Sequence, residues 1–484
     1  MKNLPLSIGF FCVGIFLYTT FIDSPTSKVV ESLDVVEKVK LTKDPTRPEL
    51  QQRIEGRYQQ EWDMTHDPST GTVPKERLNA ARAYTQLLLS RKAAIPNVNW
   101  DERGPNNVSG RTRSILIDAG DPSHNTIFSG GVAGGIWRSV DGAANWTQID
   151  DFFDNLAIGD ITQDPNNSDI IYFGTGEGYG NIDAVRGLGI WKSTDGGLTF
   201  DQLPSTDDNP DFHYVNSMVC VDLGSTTAVL SGNRFSGVFR SIDEGLTWTL
   251  VLAGTVADMT VASNGDVFAG MDNDGIYRST DGGVTWTEEY NNTNSDGRIE
   301  LNAAPSDPNI AYALLEGNGN LIPTIRRTSD GGDSWDLITN PLWNDQNCNT
   351  TSQDWSRGQD WYDLTVAVDP NDPNRVFIGA VDLFATEDGG QSWTQVSSWI
   401  GICGRPFSHA DQHALVFAPG SSDILTMAMM EVFTRVSMLL RQHLILNLWV
   451  MAIISLNFML SIFTLMKQKN FIWPVLRIMV PNGL

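Results

Sequence analysis

The sequence predicts an all-β chain, a β-propeller of about seven four-stranded blades, from three observations. One eight-residue turn motif recurs six times, short strand-like runs flank the copies, and a second hairpin signal lies upstream of most of them. The copies are SVDGAANW (Ser139 to Trp146), STDGGLTF (Ser193 to Phe200), SIDEGLTW (Ser241 to Trp248), STDGGVTW (Ser279 to Trp286), TSDGGDSW (Thr328 to Trp335) and TEDGGQSW (Thr386 to Trp393). Their central aspartates, Asp141, Asp195, Asp243, Asp281, Asp330 and Asp388, recur at roughly 40 to 60 residues, the length of a four-stranded blade.

Each copy follows a run such as GIWRS, GIWKS, GVFRS or GIYRS and precedes an alternation such as NWTQI or SWTQV, so strand, turn and strand make a hairpin. The upstream hairpins read as an inner apolar strand, a DP or AP turn and a strand ending in Gly or Ala. Examples are DITQDPNNSDIIYFG from Asp160, LNAAPSDPNIAYA from Leu301 and DLTVAVDPNDPNRVFIG from Asp363. Two hairpins per unit make four strands. Within the motif the Asp carboxylate can accept backbone N–H bonds, the glycines adopt positive φ, and the Ser or Thr hydroxyl ties the start of the turn. The closing aromatic, Trp146, Phe200, Trp248, Trp286, Trp335 or Trp393, is expected in the blade's apolar packing. All of this is folding chemistry.

The motif resembles the BNR or Asp-box repeats of sialidases, of xyloglucan-cleaving endoglucanases and of the sortilin ectodomain. WDERGPNNVSGRTRSI (Trp100 to Ile115), WYDL and HADQHAL resemble, more narrowly, large secreted BNR-repeat proteins of bacteria often termed glycosyl hydrolases. The resemblance spans about Asn99 to Pro419 and implies a propeller whose Asp-box turns sit on the periphery, away from the ligand face. It transfers no catalytic residue. A sialidase needs an arginine triad, a Tyr with a Glu partner and an Asp acid; Arg111, Arg113, Arg186 and Arg234 are raw material, but no segment reproduces that family's arginine motif. The endoglucanase type uses two Asp across a cleft between two propellers, and one propeller is present. The Cys-rich companion module of a sortilin-like receptor is absent.

Around this unit the chain divides further. Residues 1–27, with Lys2, an apolar run from Leu4 to Phe21 and a polar segment to Ser27, have signal-peptide architecture, an uncleaved anchor being the alternative. Secretion or the cell envelope is therefore the expected location. Residues 28–98 read as a helical segment, as propeptide, spacer or cap, and 99–425 as the propeller. With 58 acidic against 33 basic residues and a formal charge of -25, nucleic acid is excluded as a partner. Beyond the leader, Cys220, Cys348 and Cys403 show no metal-ligand spacing; Cys348 with Cys403 is the pair to test, isolated thiols being the alternative.

From about residue 426 to 484 the composition changes abruptly. Gly and Asp nearly vanish, and eight of thirteen Met fall in the last sixty residues. Leu444 to Met466 is apolar enough for a membrane span. The alternative is a shifted reading frame, which the genetic code tests. When the last base of each codon is read with the first two of the next, Met427 to Ala428 forces Gly, Met429 to Met430 forces Asp, and Met430 to Glu431 forces Gly. Permitted codons then turn Leu425 to Met438 into YNGNDGGVYKSID, the start of a further Asp box, leaving the last blade truncated in the chain as written.

For chemistry, alignment of the inner strands places Arg113, Asp160, Asp258, Asp363 and Asp411 at comparable channel positions. They could bind a sugar or a cation, or supply an acid and base, with Asp160, Glu177 and Asp363 the first candidates; the alternative, which weighs more, is that they satisfy backbone groups at the strand starts. His409, Asp411 and His413 alternate, so on a strand they would share a face and could ligate a metal, although the set is incomplete and none is assigned. GTGEGYGN (Gly174 to Asn181) lacks the lysine and helix of a phosphate loop and reads as a loop displaying Glu177 and Tyr179. No cofactor is implied. The reading is a secreted binding propeller for carbohydrate or a cell-surface protein, with a glycoside hydrolase as the alternative.

Overall fold

The computed structural model describes residues 110–429 with short exceptions, the strands Phe433–Ser437 and Asn447–Trp449, and a few residues between 66 and 87. Residues 1–84 and 85–484 form two compact units. The expected leader, nearly all of the helical segment and the tail beyond 449 lie outside the described residues. Among the described residues no helix is long and apolar enough to cross a membrane.

Four-stranded antiparallel sheets follow one another at 112–148, 158–202, 215–252, 256–291, 299–337 and 365–395, each with its strands in sequence order. A further four-strand set spans 412–449, and its outer pair, Phe433–Ser437 and Asn447–Trp449, falls in the compositionally odd tail. The first strand of each sheet packs on the first strand of the next, and Gln412–Phe417 packs on Thr112–Ile117, closing a ring. The fold is a β-propeller.

One register recurs in five of the sheets. The second strand carries a glycine opposite a fixed inner-strand position: Gly130 pairs with Ser114, Gly174 with Asp160, Gly232 with Ser217, Gly270 with Asp258 and Gly379 with Thr365. The reason is close approach. A Cβ at Gly130, Gly174 or Gly232 would lie 2.5, 2.2 or 2.7 Å from Ile158, Val215 or Val256, the residue that starts the next sheet's inner strand. In the 412–449 set the same position pairs Ala414 with Ala428. Just before it, a one-residue bulge recurs in most inner strands, between Thr112 and Ser114, Ile158 and Asp160, Val256 and Asp258, and Gln412 and Ala414.

The core is accordingly a circle of clusters, each between neighbouring sheets. Phe128 and Ile136 pack with Phe173 and Trp191, Phe268 with Leu301 and Trp335, and Tyr312 with Ile378 and Phe384. Ile115, Ile117 and Ile127 meet Ala418 and Ala428 where the ring closes. The six repeated turns join third to fourth strands at the outer edge. In one of them the Ser279 hydroxyl donates to Asp281 (2.8 Å) and accepts from Gly283 N (2.9 Å), while Asp281 accepts from the amide and hydroxyl of Thr285. The pattern repeats around Asp141, Asp195, Asp243, Asp330 and Asp388. The Thr247 hydroxyl and amide hold the Asp243 carboxyl down at about 2. Two turns place a non-glycine residue in the left-handed region, Ala143 (φ 75) and Glu244 (φ 59). Phe200 and Trp335 are buried, whereas Trp248, Trp286 and Trp393 are partly buried.

Cys348 and Cys403 form a disulfide with Cα atoms 5.4 Å apart. Cys220 is free, and burial pushes its thiol up to about 12.

Candidate functional site

The channel brings together side chains from distant parts of the chain. Arg111 and Arg113 come from the start of the first sheet, Glu177 and Tyr179 from the loop after Asn167–Thr175, Arg298 from just before Ile299–Ala303, and His413 from Gln412–Phe417. A segment ahead of Thr365–Asp369 adds Trp361, Tyr362 and Asp363. Its backbone turns back on itself, with Tyr362 and Asp363 N–H groups donating to the Gln359 carbonyl.

Tyr362 is the hub. Its hydroxyl donates to Glu177 Oε1 and accepts from Arg111 Nη1 (3.1 Å). Its carbonyl accepts from Arg113 Nη1 (3.3 Å) and Arg298 Nη1 (2.6 Å), while Arg298 Nη2 also reaches the Leu364 carbonyl (2.9 Å) and Glu300. Both guanidiniums lie over Tyr179, with Cζ 3.6 Å (Arg113) and 4.6 Å (Arg298) from the ring centroid. Arg113 Nη1 also contacts His413 Nδ1 at 2.8 Å. Because a guanidinium only donates, Nδ1 is the acceptor and the ring proton sits on Nε2. Burial, then the charges of Arg113 and Arg298, lower the His413 pKa well below the usual range and keep the ring neutral.

Two cavities adjoin this cluster. One of about 190 Å³ at the mouth is lined by Tyr179, Arg234, Asp272, Asn273, Arg298, Glu316 and the 40% exposed Trp361. Arg234 is paired with Asp272 at 2.5 Å. A deeper one of about 210 Å³ lies between the inner strands, bordered by Arg113, Ser114, Asp160, Asn216, Asp258, Arg298 and His413.

The expected ring of channel residues separates into different roles. Asp160 and Asp258 do share a register position, but both act as latches. Asp160 accepts from Met218 N (2.7 Å) on the next sheet and from Ile161 N; Asp258 accepts from Leu301 N (2.9 Å) on the next sheet and from the Ser217 hydroxyl. Burial raises both, Asp160 to about 7. Arg113 is offset by the bulge, and Asp363 and Asp411 precede their strands. The strand expected through His409, Asp411 and His413 begins only at Gln412. Asp411 has φ 63, so the three side chains do not alternate along one strand; His409 Nδ1 instead lies 3.1 Å from the Ala410 carbonyl. Among the described residues no group of three His, Cys, Asp or Glu is placed to hold a metal ion. Arg186 contacts His213. Sequence reasoning missed Arg298, Tyr362 and Trp361. The sequence signal for Arg298 was its place immediately before IELNA, matching Arg113 before SILID.

Asp363 is a strongly perturbed acid. Burial, followed by the nearby Asp411 carboxyl, pushes it up to about 9. A raised acid makes folding take up a proton, so this group favours the fold most below about pH 4 and progressively less as pH rises toward 9. Asp363→Asn is therefore expected to exceed the parent in stability by about 1–3 kcal/mol at pH 8, with the advantage gone near pH 4. Urea unfolding at the two pH values measures it, and a variant no more stable at pH 8 contradicts the assignment.

No protein-family model matches the chain. A xyloglucanase of Hypocrea jecorina is 31% identical over 147 residues, 24% of this chain and 16% of that protein. A GH74 xyloglucanase from Xanthomonas campestris superposes with TM-score 0.50 and 16% identity over 68% of this chain and 52% of its own. An ancestral GH74 enzyme gives 0.50 and 16% over 70% and 46%. The chain thus spans about half the length of these structures. At such identities the likeness is one of fold.

Proposed function

We propose that the protein is an exported propeller that binds carbohydrate at the mouth of its channel. The observation that carries the reading is the cavity beside Trp361, where an accessible indole and the Tyr179 ring stand next to Arg234, Asp272, Asn273 and Glu316. Aromatic faces pack on sugar C–H groups, and planar polar groups take paired hydroxyls. The partial likeness to xyloglucanases favours a glycan over a protein ligand.

A glycoside hydrolase is the second reading. It is favoured by an Asp363 carboxyl held protonated near neutral pH and by the Tyr362 and Glu177 pair, which together could supply an acid and an activated oxygen. Against it, Arg113 and Arg298 are engaged with the Tyr362 and Leu364 carbonyls, and Asp363 is 1% exposed. Retention on immobilised xyloglucan and on other polysaccharides, with release of reducing ends measured in parallel, separates the two. The binding reading expects retention without turnover and at least about tenfold weaker retention for Trp361→Ala. Turnover abolished by Asp363→Asn would install the hydrolase. If neither retention nor turnover is found, both readings fail.

The proposal extends to the architecture: a leader in 1–27, Asp-box blades numbering about seven, and a tail from 426 read in a shifted frame. With Leu425 kept, the shifted segment YNGNDGGVYKSID puts its first forced Gly at position 428, opposite Ala414, where five other sheets have glycine.

A further inference from the structure

We propose that the deeper channel cavity is a binding site for one small monovalent anion, of the class of chloride, nitrate or formate, which joins the first, fifth and last sheets. Arg113 is 5% exposed, and among the described residues no carboxylate oxygen lies within ion-pair distance of it. A buried guanidinium without a counter-charge is costly unless something neutralises it.

The cavity wall holds donors with no partner. Arg113 Nη2, Arg298 Nε, His413 Nε2 and the Ser114 hydroxyl are all buried and make no hydrogen bond among the described residues. The His413 tautomer established above makes its Nε2 a donor. Four orphaned donors from three sheets, two of them on cations, suit an acceptor with negative charge. Arg298 carries its own carboxylate, Glu300, whereas Glu177 acts on Arg113 only through space, so one direct ion-pairing position is open at Arg113, which suits a monovalent anion.

The other titratable groups facing the cavity are Tyr179, Asp160, Asp258 and Glu300, and Asp363 Oδ1 lies 4.0 Å from His413 Nε2. Glu300 pairs with Arg298, burial pushes Asp363 up to about 9 so that it carries little charge at pH 6 or 8, and the oxygens of Asp160 and Asp258 are occupied by Met218, Ile161, Leu301 and Ser217. The last two aspartates leave Arg113 unpaired but act on an anion through space. Burial raises Asp160 to about 7, so it is mostly neutral below that pH and repels an anion above it. Anion affinity therefore falls as pH rises through 7, a dependence that general salt effects on the surface do not produce.

The test is thermal unfolding of the full chain at constant ionic strength, exchanging the bulky sulfonate isethionate for chloride, nitrate or formate, at pH 6 and 8. A saturable rise of the midpoint is expected, larger at pH 6, abolished in Arg113→Gln and weakened about tenfold in apparent affinity in Ser114→Ala. Because Arg113→Gln also loses its bond to the Tyr362 carbonyl, which the fold uses, Ser114→Ala and a bromide soak keep the test decisive. Anomalous bromide density within hydrogen-bond distance of Arg113 and Ser114 is the expected result. No such density, equal midpoints in isethionate and chloride, or an undiminished shift in Ser114→Ala would overturn the site.

Discussion

Exchanging residues 426 onward for the shifted-frame product, beginning YNGNDGGVYKSID, is expected to raise the unfolding midpoint by about 10 °C. As written, the last set of strands has no Ser/Thr-x-Asp-x-Gly turn between its outer pair and carries Ala428 where five of the other six sheets have glycine. Restoring the turn's hydrogen bonds at about 1 kcal/mol each, together with a properly packed outer strand, amounts to about 3–6 kcal/mol. For a unit of this size each kcal/mol is worth about 2 °C. The gain is also cooperative, because Ala418 and Ala428 pack on Ile115, Ile117 and Ile127 and the last set completes the ring. Scanning calorimetry of both chains measures it, and sequencing the gene across the codons for Asp423 to Arg435 tests the cause. An unchanged or lower midpoint would mean that the apolar tail is the proper partner of the ring.

Tyr362→Ala should be the most damaging single substitution in the channel, costing about 3–5 kcal/mol. The ring is buried, packs 5.0 Å from His413 and 6.1 Å from Tyr179, and its hydroxyl is the point where Arg111 and Glu177 meet. Removing it opens a cavity at the centre of the ring and leaves a buried carboxylate without its hydroxyl donor. Tyr362→Phe keeps the packing and should cost about 1–3 kcal/mol. Urea unfolding of the pair measures both, and equal losses would mean that the ring itself contributes little.

What could be read from the sequence divides along the range of the interactions. The six turns were legible because each is held by residues two to four apart, as Ser279, Asp281 and Thr285 are. Blade size followed from their spacing. The channel was only half legible. Glu177 and Arg113 were singled out, but the partner that unites them, Tyr362, is separated from them by 185 and 249 residues. Asp160 and Asp258 were correctly aligned with each other. Arg113 was not, because the inner strands contain a one-residue bulge that a period-2 reading cannot anticipate. The same error in range put His409 and Asp411 on a strand that begins only after both, at Gln412.

The bond between Cys348 and Cys403 has a topological consequence. The stretch it encloses contains the whole sheet at 365–395 and the segment carrying Trp361, Tyr362 and Asp363. A single peptide cleavage between 349 and 402 would therefore leave both halves on one molecule, each still tethered beside the channel. Nicked protein would migrate as an intact chain until a reductant released the fragments. In an oxidising compartment the stretch could be cut by a protease without the propeller losing a piece.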